Sequence, residues 1–193
     1  WGGLGVPSYG FMGGIQRYPG GGGYGARLKE DYRRFYGATV GFSGRGEMMP
    51  NDGSYCEIDP GGTVDRFGIP VLRFHWRFTE HEFVQVKHMQ ETFRGIIAEM
   101  GGEVWSPMPS AEDGYGIATG GEIIHELGGT RMGDDPGTSV VNGWGQAHEV
   151  KNLFVADGGP FVSQADKNPT WTILALSMRT SDRIARLMAE RAL

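Results

Sequence analysis

The stretch Val150-Lys151-Asn152-Leu153-Phe154-Val155-Ala156-Asp157-Gly158-Gly159, followed shortly by Asn168-Pro169-Thr170-Trp171-Thr172-Ile173, decides how this chain reads. Its first part is a short apolar run closed by an aspartate and paired glycines, which predicts a buried strand ending in a turn. Its second part opens a helix. Asparagine is a favoured N-cap, and proline suits the first helical position because its missing N–H has no acceptor there; Ile173, Leu176, Ile184 and Leu187 then continue a helical face towards the C-terminus. The order is buried strand, loop, long helix. A helix start carries roughly half a positive charge and unpaired N–H groups, so Asn168, Pro169 and Thr170 stand where an anion is stabilised by about 0.3 to 2 kcal/mol. Glycines after a strand let backbone approach a ligand closely, which adds Asp157 and Gly158 to the candidates. Each feature taken alone is equally an ordinary cap or an ordinary turn.

Upstream lies Ile123-Ile124-His125-Glu126-Leu127-Gly128-Gly129-Thr130-Arg131-Met132-Gly133-Asp134-Asp135-Pro136. An imidazole that follows two β-branched residues and precedes a flexible polar segment is well placed to be displayed as a base; His75, His81, His88 and His148 have no such setting and read as structural or surface residues. Metal chemistry fails a spacing test at His125-Glu126. A zinc-protease helix needs a second histidine at position 129, which is Gly129, and paired glycines weaken a helix. No serine sits in a G-x-S-x-G elbow, Cys56 has no cationic neighbour in sequence, and no Gly-Lys-Ser/Thr follows Gly20-Gly21-Gly22-Gly23.

Further out, Thr39-Val40-Gly41-Phe42, Ser54-Tyr55-Cys56-Glu57-Ile58 and Val71 to Phe78 are bounded by Pro, Gly, Asn and Asp, and read as strands of an antiparallel sheet. In the last, Leu72, Phe74, Trp76 and Phe78 alternate with Val71, Arg73, His75 and Arg77, giving one apolar and one mostly polar face. From Thr79 to Met100 the apolar period lengthens to three or four, and Gly101-Gly102 stops it, which predicts a helix packed on that sheet. Ala26 to Tyr36 reads as a short exposed helix ended by Gly37. Residues 1–26 hold 11 of the chain's 34 glycines and read as loop.

Composition narrows the function classes. With 193 residues, 39% hydrophobic and 11% aromatic, the chain has apolar surface enough for a core. Its 34 glycines are about 18% where roughly 7% is usual, but no G-X-Y period runs through them, so collagen is excluded. A net charge of −5 without a run of Lys or Arg lacks the footprint of nucleic-acid binding. A lone cysteine builds neither an internal disulfide nor a thiolate metal site. The longest apolar stretches fall far short of a membrane span. A soluble protein of cytoplasm or periplasm is expected, with the chain opening on Trp1 and no leader visible.

Taken together and in order, His125 to Gly133, Val150 to Gly158 and Lys167 to Ile173 resemble the C-terminal part of the glucose-methanol-choline flavoprotein oxidoreductases, densely over residues 122–187. The strands and helix of 37–105 are similar to that family's substrate domain. Glu126 stands where family chains often have proline. The resemblance implies an α+β chain, part of an α/β parent: a glycine-rich lead-in over 1–36, an antiparallel-sheet substrate-binding domain with packed helices over 37–135, and over 136–193 the last strand and C-terminal helix of a Rossmann-like FAD-binding domain. It implies FAD as cofactor, held in part by Asp157, Gly158, Asn168, Pro169 and Thr170. It also implies oxidation of the CH–OH group of an alcohol, a sugar or polyol being the expected substrate, with the electron acceptor open.

His125 matches the family's catalytic histidine and Asn168 its second active-site position. A base of near-neutral pKa suits removal of the hydroxyl proton as hydride leaves for flavin N5. Asn168 then donates to the substrate oxygen while the helix it caps steadies negative charge on the reduced flavin. The family's G-x-G-x-x-G follows a first strand, and Gly20 to Gly25 is not preceded by one, so an N-terminal FAD-binding portion is the expected partner, and this chain alone is expected to be inactive. Two other readings are a non-catalytic interaction module that keeps the fold, and a metal-dependent hydrolase built on His125, Asp134 and Asp135. Trp76, Arg77, Trp105 and Trp144 suit contact with a sugar, but equally suit core or surface.

Overall fold

The computed structural model describes the backbone of residues 3–5 and residues 20–122, 124–164 and 166–193. In chain order the elements are β1 (Gly3–Gly5), α1 (Ala26–Phe35), β2 (Gly41–Ser43), β3 (Tyr55–Ile58), β4 (Leu72–His75), α2 (Glu80–Glu99), a 3-10 turn (Gly114–Gly116) and α3 (Thr170–Ala189). The chain mixes helix and sheet and divides into two compact units. One takes the described residues of Trp1–Gly46 with Val84–Gly116, the other Glu47–Phe83 with Ile117–Leu193.

In the first unit, β1 and β2 pair antiparallel, with Leu4 opposite Phe42. Part of the segment expected to be loop is therefore strand, because three residues flanked by glycines carry no alternation to read. Helix α1 forms where its sequence predicts. Phe35 is buried with Leu28 and Tyr32 packed against it, and meets Trp105 edge-on with ring centroids 6.0 Å apart. Buried Asp31 accepts the Gly22 N–H at 3.0 Å and pairs with Arg27 at 3.2 Å, so its charge is compensated where it is desolvated. From α2, Phe93 stacks on Phe42 at 5.2 Å, seating the helix on β2. The end of α2 has both bonds of a Schellman cap: Gly102 N–H donates to the Ile97 carbonyl and Gly101 N–H to that of Ala98, each at 2.9 Å.

In the second unit, β3 and β4 form an antiparallel hairpin with Cys56 opposite Phe74. The strand segments expected to form one sheet thus lie, among the described residues, in two separate pairs, because β2 takes the glycine-flanked β1 as its partner. Alternation along β4 is present, yet Leu72 and Phe74 on its apolar face are exposed, Phe74 by 72%. The hairpin is secured at its base by polar groups. Glu82, only 3% exposed, accepts the Met49 N–H at 2.8 Å and both the N–H and hydroxyl of Thr79 at 2.6 Å, the latter pair forming one half of a capping box at the start of α2. Asn51 Nδ2 donates to the Arg77 carbonyl at 3.0 Å, and the Arg77 N–H to Ser54 Oγ at 3.0 Å. Burial raises the pKa of the Glu82 carboxyl, but the Thr79 hydroxyl and the backbone N–H groups of Met49, Thr79 and Glu82 itself outweigh it, so the net shift is downward.

The rest of this unit closes around Val141, which is fully buried. Val141 bridges Met132 in parallel and Ala147 antiparallel, and Gln146 bridges Phe154. That last bridge is all the regular pairing in the Asn152–Ala156 run; the expected buried strand is not formed, and Leu153 is exposed, since a strand needs a continuous ladder and Gln146 supplies a single rung. Helix α3 lies along this region. Thr180 donates to the Trp144 carbonyl at 3.0 Å, Ser177 to that of Ala156 and Arg179 to that of Gly143, while the Arg179 and Arg183 guanidinium groups stand 5.6 and 5.8 Å from the centre of the Trp144 ring. Gly145 has φ +74°, and a β-carbon there would come within 2.6 Å of the Val155 carbonyl oxygen.

Candidate active site

Three N–H donors set the frame of the site. Gly128 donates to the Gly158 carbonyl at 3.2 Å, Thr130 to that of Gly159 at 3.1 Å and Met132 to that of Pro160 at 3.0 Å, so the segment after His125 is laid along the segment after Asp157. The start of α3 reaches the same place. A β-carbon on Gly158 would stand 2.2 Å from Leu127 Cδ2 and 3.5 Å from Ile173 Cδ1, so side chains from both neighbouring segments converge on that glycine. The three sequence segments singled out for their order therefore meet in space at Gly158.

His125 is exposed, lies ahead of the first of these bonds, and makes no hydrogen bond or ion pair with another described residue. Its φ is +91°, a region that costs a residue with a β-carbon about 1 to 3 kcal/mol and persists only where the surroundings impose it. An exposed imidazole with no intramolecular partner keeps its ring nitrogens available to exchange a proton. Asp157 is tied to the turn it begins, with Oδ1 accepting the Gly159 N–H at 2.7 Å.

Asn168 and Thr170 are exposed and Pro169 is buried. Asn168 does not cap α3. The N-cap is Pro169, whose carbonyl accepts the Ile173 N–H at 2.9 Å, and no side chain caps the helix. Pro169 adopts helical dihedrals, φ −83° and ψ −10°, one residue earlier than its usual place permits, so Asn168 falls outside the turn that its side chain was expected to satisfy. The N–H groups of Thr170, Trp171 and Thr172 are left without an intrahelical acceptor, as in any first turn.

Two residues of the site lie within the His125–Gly133 motif but had no part of their own in the sequence reading. Leu127 reads as one isolated apolar residue beside two glycines, and only its seat on Gly158 gives it weight. Thr130 Oγ1 is a buried hydroxyl with no partner among the described residues, held where a β-carbon on Gly159 would stand 2.1 Å away. Burial of one hydroxyl leaves no trace in composition or period. Among the described residues no three His, Cys, Asp or Glu side chains gather as a metal centre would require, and no helix is long and apolar enough to cross a membrane.

Comparison with known proteins converges on one family. The profile described as GMC oxidoreductase matches residues 52–177. The chain is 29% identical over 178 residues to the 2-methyl-1,2-propanediol dehydrogenase of Mycolicibacterium austroafricanum, covering 87% of this chain and 30% of that protein. It is 30% identical over 128 residues to the paromamine 6'-oxidase of Streptomyces fradiae, covering 66% of this chain and 22% of the other. With the fructose dehydrogenase large subunit of Gluconobacter japonicus it shares 28% over 160 residues, 83% and 28% of the two chains. This chain spans less than a third of the length of each of these relatives.

Proposed function

Because the chain belongs to the GMC oxidoreductase family, matched over residues 52–177, we propose that it is a C-terminal portion of an FAD-dependent enzyme that oxidises the CH–OH group of a sugar or polyol. In this reading residues 37–135 belong to the substrate-binding domain, 136–193 supply the last elements of a Rossmann-like FAD-binding domain, and an N-terminal portion completes the cofactor site. The observation that carries it is the meeting at Gly158 of the arm bearing His125, the Asp157 turn and the start of α3.

The residues present fit a flavin. The first turn of α3 has no side-chain cap, so its N–H donors and positive end are free to face an electron-rich edge, and the buried Thr130 hydroxyl has no partner of its own. Asp157, Gly158, Asn168, Pro169 and Thr170 are the residues that would hold it. When bound, the flavin accepts the hydride. His125 removes the proton of the alcohol hydroxyl, the general-base task that histidine performs most often. Asn168, freed from capping, offers its amide N–H to the alcohol oxygen as that oxygen gains charge, an interaction worth about 3 kcal/mol when aimed at the transition state.

His125→Ala in the full-length parent tests the reading. Turnover is expected to fall about 100-fold or more with flavin content, read by absorbance, unchanged. Turnover near the parental rate ends the assignment. Asn168→Asp separates Asn168 from the fold: since no cap bond is lost, the melting temperature should stay near the parent's, within about 0.5 kcal/mol of stability, while stopped-flow flavin reduction slows strongly. Equal reduction rates would leave Asn168 without a role in the chemistry.

A further inference from the structure

We propose that Gly158 and Leu127 form a positioning joint that fixes His125 relative to the start of α3. The inference rests on the reading of His125 as the base. The bonds that lay the His125 arm along the Asp157 turn begin at Gly128, so Leu127 is the last residue of the arm with a packed side chain before His125. Leu127 is half-buried, whereas Glu126, His125 and Ile124 are exposed.

Leu127 Cδ2 lies where a side chain at residue 158 would begin. A β-carbon would lie 2.2 Å from Leu127 Cδ2, a separation real β-carbons do not show, whereas its 3.5 Å from Ile173 Cδ1 is ordinary contact. A methyl at 158 would therefore turn Leu127, whose Cδ2 is the free end of its side chain, out of this place and leave Ile173 undisturbed. Ile173 sits in the first turn of α3, a few residues beyond Asn168, so Leu127 and Ile173 share one seat and the two segments carrying His125 and Asn168 are registered through it. The left-handed backbone of His125, held two residues from that seat, is the strain such an anchor would impose. Gly158 acts through Leu127 and touches no reacting atom in this account.

The test uses the flavin-loaded full-length parent and three variants, Gly158→Ala, Leu127→Ala and the double. Gly158→Ala should turn the Leu127 side chain out of its place and lower kcat about fivefold, with KM changed less than about threefold. Leu127→Ala loosens the arm and should lower kcat about fivefold. In the double variant the added methyl enters the space the isobutyl group leaves, so kcat per bound flavin, the flavin read by absorbance, should stay at the Leu127→Ala level.

Losses of kcat per bound flavin that multiply in the double variant overturn the joint. If Gly158→Ala does not accumulate as folded protein, the double variant decides alone, supporting the joint when folded and active and overturning it when not. His125→Ala measured alongside separates the two claims. Parental turnover there overturns the reading of His125 and the joint with it, whereas lost turnover with losses that multiply in the double variant overturns the joint alone.

Discussion

Val141 and Phe74 belong to the same unit and to equally apolar stretches of sequence, yet the first is fully buried and the second is 72% exposed. The region around Val141 is closed by its own neighbours. Its bridges, the carbonyls met by Ser177, Arg179 and Thr180, and the turn at Gly145 all lie within residues 130–187. The β3–β4 hairpin has a complete ladder and an apolar face, but that face meets nothing among the described residues that buries it, and what secures the hairpin is the polar clamp of Glu82, Asn51 and Ser54 at its base. Apolar pattern sets which face a strand offers; burial depends on what is brought to cover it. In one protein the two regions are thus held by different forces.

The largest expected break is in the Val141 region. Gly145→Ala demands a left-handed alanine and a methyl 2.6 Å from the Val155 carbonyl, so it should destabilise the chain by about 2 to 4 kcal/mol in urea or thermal unfolding. A loss below about 1 kcal/mol would show that the turn yields easily.

Acid separates the two regions in the opposite sense. Glu82 has its pKa lowered in the folded protein, so the stability its carboxylate contributes is fully present above the ordinary glutamate value, about 4.3, and is lost as pH falls through the folded value. Below that window the hairpin base should open first. Amides of Met49 and Thr79, which donate to the carboxylate, should lose hydrogen-exchange protection while those of Val141 and Ala147 keep it. Glu82→Gln should flatten the acid side of the stability profile, and an unchanged profile would remove Glu82 from the clamp.

The smallest effect should come from the apolar face itself. Phe74→Ser in the 193-residue chain removes a large side chain that is mostly in water and stands opposite Cys56 in the ladder, so about 0.5 kcal/mol or less should be lost. A loss of 2 kcal/mol or more, the range of a buried aromatic, would show that the face is covered after all.

Helices α1, α2 and α3 were legible because each has a period of three or four and a glycine or proline at an end, which are local signals. Strand β4 was legible through Leu72, Arg73 and Phe74, but its burial was not, since alternation reports a face and not its partner. Strand β1 was hidden by its glycines, and Asn152–Ala156 misled because its four apolar residues in a row look alike whether a ladder forms beside them or not. At the site, the motifs around His125, Gly158 and Asn168 were readable from residue types and order. The misplaced cap was not, because Asn-Pro-Thr is compatible with a helix beginning at either register, and the packing of Leu127 on Gly158 depends on a contact between segments about 30 residues apart in sequence.

The pairings also differ in how much chain each must gather. Val141 meets Met132 and Ala147, nine and six residues away, whereas the β3–β4 pairs are 14 to 20 residues apart and those of β1 and β2 are 36 to 40. Closing a loop costs about 0.6 kcal/mol more for each doubling of its length, and that cost is met before the contacts form. The Val141 region is therefore the natural nucleus during refolding, with the β1–β2 clasp added last. In pulse-labelled exchange the Val141 and Ala147 amides should be protected earliest, so the scaffold beneath His125 would be assembled before the rest of the chain has found its partners.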